Sequence, residues 1–125
     1  MDGILMRLRP QRSRYVQAAG QMFAWLVAQG KGMDVAITDP EVWVNQVQGP
    51  TSLAVLDAAC GGGRPDPFGY FGIAEVGVGG QRVVVTRAGF STEMGWEYYN
   101  DTRNRMRRVV GAFDGGGGRT FRDGA

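Results

Sequence analysis

Thirteen consecutive residues, Arg87 to Tyr99, gather two carboxylates (Glu93, Glu97) and four aromatic rings (Phe90, Trp96, Tyr98, Tyr99) around Gly89 and Gly95. Glycine permits left-handed or closely approached backbone, aromatic rings supply large apolar faces, and an ionised carboxylate accepts two parallel hydrogen bonds. Such a set suits a flat ligand that carries paired N–H donors. A pterin ring is of that kind.

The elements around the stretch decide which of these groups can act together. Arg87 closes one strand, residues 88–94 form a loop, and Gly95 leads into a strand containing Trp96 to Tyr99. Alternate residues of a strand share a face, so Glu97 and Tyr99 point one way and Trp96 and Tyr98 the other. Glu97 and Tyr99 can therefore line one pocket. Structural readings stand beside this one: composition alone favours Phe90 and Trp96 as core aromatics, and Glu93 as a loop-bracing carboxylate. Burying Glu97 costs several kcal/mol unless a partner meets it, and an Arg87–Glu97 ion pair is the structural alternative to a ligand.

Upstream, Ile4, Met6 and Leu8 alternate as in a half-buried strand that Pro10 ends, and Tyr15 to Ala19 can pair back on it. Met22, Phe23, Leu26 and Val27 then fall at helical spacing before Gly30-Lys31-Gly32. Strands are expected over Met33 to Thr38 and Val42 to Val47, and a helix capped by Thr51 or Ser52 with Leu53, Leu56 and Cys60 on one face. Gly61-Gly62-Gly63 follows a helix and lacks a Gly-Lys-Ser/Thr, so it reads as a linker and not as a phosphate cradle. Ala74, Val76 and Val78, then Gly79-Gly80, then Val83 to Arg87 form the clearest hairpin. The expected fold class is α+β, a mainly antiparallel sheet with about two helices packed on one face.

At 125 residues and 43% hydrophobic, the chain suits one compact domain. The pI near 9 is a property of its end. Residues 1–100 carry eight basic against nine acidic side chains, whereas residues 101–125 carry six against three. A nucleic-acid partner is therefore not expected of the body. With no histidine and one cysteine, His-based acid–base chemistry, a disulfide and a Cys- or His-rich metal site fall away; no metal is expected. Cys60 reads as a small apolar residue at a helix end. No apolar run approaches the ~20 residues of a membrane span, and a soluble cytoplasmic chain is the default expectation.

The stretch resembles the signature Arg-Thr-Gly-aromatic-Thr-Gly-Glu-x-Gly-aromatic-Glu of the glycine cleavage T-protein (aminomethyltransferase) family. Arg87, Gly89, Phe90, Ser91, Glu93, Gly95, Trp96 and Glu97 match it, while Ala88 and Thr92 stand where threonine and glycine are usual. Asp39-Pro40-Glu41-Val42-Trp43 and Gln46-Val47-Gln48-Gly49-Pro50-Thr51-Ser52 are similar to the approach to the family's "LQGPKS" turn. Pro67-Phe68-x-Tyr70-Phe71, followed by the Val-Gly-Gly-Gln hairpin, is similar to the segment between, and with Gly95-Trp96-Glu97 it looks like the demethylase side of the family, which includes dimethylsulfoniopropionate demethylase and the folate domain of dimethylglycine dehydrogenase. The likeness covers roughly residues 33–99.

The resemblance implies a one-carbon transferase in which tetrahydrofolate accepts a methyl or aminomethyl unit. It implies that Glu97 holds the pterin's amino group and adjacent ring N–H, with Phe90, Tyr99 and Arg87 as further cofactor-binding positions. No residue here matches the segment that carries the family's assisting aspartate, so no catalytic residue is assigned. Residues 1–100 are expected to be an internal fragment of the folate-binding domain, inactive alone, since half a pocket loses proximity and orientation. Its expected partners are folate and a second copy, the copy held through an exposed sheet edge.

Residues 101–125 form an Arg/Gly-rich tail. Residues 104–125 resemble nothing in the family as they stand. Read one base later, the codons for 107–114 and 119–125 permit strings like the family's next helix, so the tail is read as a frameshift that adds little to the core. The alternative function is a small interaction domain whose basic tail contacts nucleic acid or an acidic partner, with a strong salt dependence.

Overall fold

The computed structural model describes residues 3–100, 109, 111 and 112. The chain divides into two compact units on either side of Pro40.

In the first unit, β1 (Ile4–Arg9) pairs antiparallel with β2 (Arg12–Val16), with a register shift between Arg7 and Arg9. The second strand thus begins three residues earlier than Tyr15, because the tight Pro10–Gln11 turn sends the chain straight back. Helix α1 (Met22–Gln29) follows, with Phe23, Trp25 and Val27 about half exposed. The strand expected over Met33 to Thr38 does not form. Met33 N–H donates to the Gly30 carbonyl and Val35 N–H to the Met33 carbonyl, both at 3.0 Å, so the segment spends its donors on turns. The side chains of Val35 and Ile37 fold back on Gly30, where a Cβ would lie 2.7 Å from the Ile37 methyl.

The second unit is a four-stranded antiparallel sheet in the order β3-β6-β5-β4, formed by β3 (Trp43–Gln48), β4 (Ile73–Val78), β5 (Gln81–Thr86) and β6 (Gly95–Asn100). With α1 and α2 (Ser52–Cys60), the two antiparallel sheets make the α+β fold that the patterning predicts. Gly79 and Gly80, at φ 56° and 74°, make the tight connection between β4 and β5.

Helix α2 packs on the sheet against β4 and β6. Leu56 is fully buried among Val76, Val78, Val83, Val85, Trp96 and Tyr98, and Leu53 and Cys60 pack at the margin, so the expected apolar stripe is the one used. Neither Thr51 nor Ser52 caps the helix with its side chain. The Ser52 hydroxyl donates instead to the Met94 carbonyl at 3.5 Å, which ties the helix start to the end of the loop before β6. At the other end Gly61 takes the left-handed conformation, and Arg64 turns back to Asp57 at 2.6 Å. That hydrogen bond raises the Arg64 pKa above its ordinary value, and the glycine run serves as a helix stop.

Most of the basic tail lies outside the described residues, so its frameshift reading is not decided by the fold. One expectation about it is corrected. Val109 is fully buried within the core cluster and Ala112 packs against that cluster. An apolar side chain after β6 reaches the core despite the surrounding arginines, because burial is decided residue by residue and not by segment composition.

The core position of Leu56 gives a direct test. Leu56→Ala should cost about 2–5 kcal/mol in urea unfolding, whereas Leu5→Ala, at a site 71% exposed, should stay within about 0.5 kcal/mol.

Candidate functional site

Strand β6 lies inside the sheet, paired on one side with β3 and on the other with β5. Its faces divide as alternation requires. Trp96 and Tyr98 enter the core beneath α2, with ring centroids 5.7 Å apart. The Trp96 indole N–H donates to the Ser52 carbonyl at 2.7 Å, a fully buried bond that fixes which way the strand faces.

Glu97 and Tyr99 take the opposite face, where Glu97 is half-buried and Tyr99 is 3% exposed. The Tyr99 hydroxyl donates to Glu97 Oε2 at 2.7 Å. A row of side chains crosses this face: Gln46 on β3, Glu97 on β6, Thr86 on β5 and Ile73 on β4 are successive partners in register.

The signature loop, residues 87–94, bends back toward this row. Ser91 accepts a hydrogen bond from the Gln46 amide at 3.3 Å and donates to Gln48 Oε1 at 2.6 Å, so both glutamines on the outward face of β3 hold one hydroxyl. Gly89 permits the approach, since a Cβ there would collide with the Gln46 amide nitrogen. Gly95 is equally constrained: a Cβ would sit 2.7 Å from the Val47 carbonyl oxygen. The two departures from the signature are accommodated locally. Ala88 is 3% exposed, so a methyl fills a packed site. Thr92 replaces a glycine without strain, because its φ is not positive.

The four sequence-predicted binding residues end in different surroundings. Glu97 and Tyr99 are brought together by a hydrogen bond. Arg87 sits at the strand end, its backbone paired with Phe71 and Gly72, and it forms no ion pair with Glu97 among the described residues. The structural Arg87–Glu97 alternative is thereby set aside, and Tyr99 is the partner that meets the carboxylate. Phe90 is 86% exposed and so is not the core aromatic that composition favours; Trp96 is. Glu93 is exposed in the loop.

Sequence reasoning missed Gln46 and Thr86 as cross-strand neighbours of the carboxylate, and Ser91 as the residue that joins the loop to β3. Strand alternation in Gln46-Val47-Gln48 carried the signal, but the register that sets Gln46 opposite Glu97 is not visible in a single strand. Also unassigned were Tyr70 and Phe71, exposed rings with centroids 4.3 Å apart, beside Arg87. Phe71 is held at φ 59°, a left-handed conformation that costs energy for an aromatic residue.

Comparison with known proteins supplies the family. The model of the GCVT N-terminal domain matches residues 1–113. The chain belongs to that family. The match extends the likeness beyond the segment 33–99 in both directions, and it includes the first part of the tail as it stands, through residue 113. A search of curated proteins found no match. The GCVT family is tetrahydrofolate-related. No helix among the described residues is long and apolar enough to cross a membrane.

If Ser91 is the latch between the loop and β3, Ser91→Ala should speed amide exchange across residues 87–94 while lowering global stability by about 1 kcal/mol or less. Unchanged exchange in that segment would show that the loop is held by something else.

Proposed function

We propose that this chain supplies one wall of the tetrahydrofolate site of an aminomethyltransferase-like one-carbon transferase, on the demethylase-like side of the family. Glu97 accepts the pterin's amino group and adjacent ring N–H. The observation that carries this reading is a carboxylate facing away from the core, with Oε2 engaged by Tyr99 and its remaining lone pairs available to donors. Tyr99 donates to Glu97 and so holds the carboxylate in place.

Arg87, at the loop's start, supplies positive charge for an acidic part of the ligand. Phe90, Tyr70 and Phe71 offer exposed ring faces close in sequence or strand pairing to the signature loop, and these suit a planar heterocycle. The residues at Tyr70 and Phe71 and in Gly95-Trp96-Glu97 support the demethylase-like assignment.

The catalytic aspartate segment of the family has no match here, so the chain alone transfers no methyl group and binds folate weakly. A carboxylate in place of a catalytic group only orients the acceptor; proximity to the donor needs the other wall.

Titration of the full chain with tetrahydrofolate should give weak saturable binding, weakened a further tenfold or more by Glu97→Gln, since charge-assisted paired hydrogen bonds are lost. Methyl transfer from dimethylsulfoniopropionate or dimethylglycine should stay at background. Binding unaffected by Glu97→Gln would remove Glu97 from the site, and turnover above background would overturn the one-wall reading.

A further inference from the structure

Thr86 closes β5 directly across from Glu97. Its neighbours Val83 and Val85 face the core, so Thr86 lies on the Glu97 face. The residue is 2% exposed, and its hydroxyl oxygen has no hydrogen-bond partner. A buried hydroxyl without a partner is costly, and such groups in folded proteins call for a cause. Directly opposed residues of an antiparallel pair hold their Cβ atoms about 4.5–5.5 Å apart, within reach of a hydrogen bond after one rotamer change. Across that gap stands Glu97, with Oε2 taken by Tyr99 and no donor on Oε1 among the described residues.

We propose that Thr86 is a positioning residue for Glu97. Its hydroxyl donates to the carboxylate across the β5–β6 pair, so that Tyr99 along the strand and Thr86 across it grip Glu97 from two directions. An ionised carboxylate has about four lone-pair sites, and two remain for the paired N–H donors of a ligand. The role in binding rests on the pterin reading of Glu97; the hydrogen bond itself needs one rotamer change of Thr86 and no ligand.

Among the described residues, few charges compete on this face. Tyr99 lies on the same strand, Glu75 on β4 and Arg82 on β5 neutralise one another at 3.1 Å, and Gln46 on β3 is uncharged. Arg87 follows β5, and Glu93 is exposed in the loop. Removing a donor to the ionised form destabilises that form, so loss of the Thr86 hydroxyl should raise the Glu97 pKa. A threonine kept only for its volume would leave that pKa where it is.

The test is a pH titration of the Glu97 side-chain carboxyl by carbon-13 NMR in the ligand-free full chain, comparing the native protein with Thr86→Val and Thr86→Ser. Valine keeps the shape and removes the hydroxyl; serine keeps the hydroxyl. An upward shift of about one pH unit in T86V, restored in T86S, is the expected result. Tetrahydrofolate should bind T86V about tenfold more weakly than the native chain. Coincident titration midpoints in the native protein and T86V would overturn the proposal; should T86V fail to fold, coincident midpoints in Thr86→Ala would do so. A shifted midpoint with no tetrahydrofolate binding by the native chain would support the grip on Glu97 and reject the folate reading alone.

Discussion

The hydrogen bond from the Trp96 indole to the Ser52 carbonyl is the constraint on which the rest of the second unit depends. Trp96 is the largest fully buried side chain, and a buried indole N–H left without an acceptor would be costly. The bond therefore holds β6 in one orientation beneath the start of α2. Because strand side chains alternate, committing Trp96 to the core commits Glu97 to the other face. A slip of one residue would bury the carboxylate and expel the indole, two penalties at once. The position of the candidate site is thus decided by a core contact that never touches a ligand.

The loop that carries the signature is held at its far end by a second interaction of a different kind. Ser91 sits between Gln46 and Gln48, and its two hydrogen bonds are partly or wholly exposed. Such bonds contribute little to stability but fix where a loop lies. Gly89 and Gly95 are needed where the chain passes close to β3, so the glycines of the signature have steric reasons here. A rigid strand bearing the carboxylate and a lightly latched loop beside it make a division of labour common to binding sites built on sheets.

Much of this was legible in the sequence because local patterns matched global packing. The Gly79-Gly80 hairpin, the Leu53–Leu56–Cys60 stripe and the alternation of Trp96 to Tyr99 are each decided within a few residues, and each is found where patterning puts it. Met33 to Thr38 misled because its β-branched residues pack on Gly30 and not on a neighbouring strand. Neither propensity nor period registers that choice. The tail misled in the other direction, since a segment rich in Arg and Gly still delivers Val109 to the core. At the site, the alternation of Glu97 and Tyr99 was readable, while the row Gln46–Glu97–Thr86 depends on register between three strands.

The central claim is that burial of Trp96 sets the outward orientation of Glu97, and hydrogen exchange of the indole N–H measures it most directly. Trp25, half exposed on α1, serves as an internal reference in the same spectrum. Exchange at the Trp96 indole slower than at Trp25 by orders of magnitude, near the rate set by global unfolding, is the expected result. Comparable rates at the two indoles would contradict it, because a solvent-accessible Trp96 leaves nothing to hold Glu97 on the opposite face.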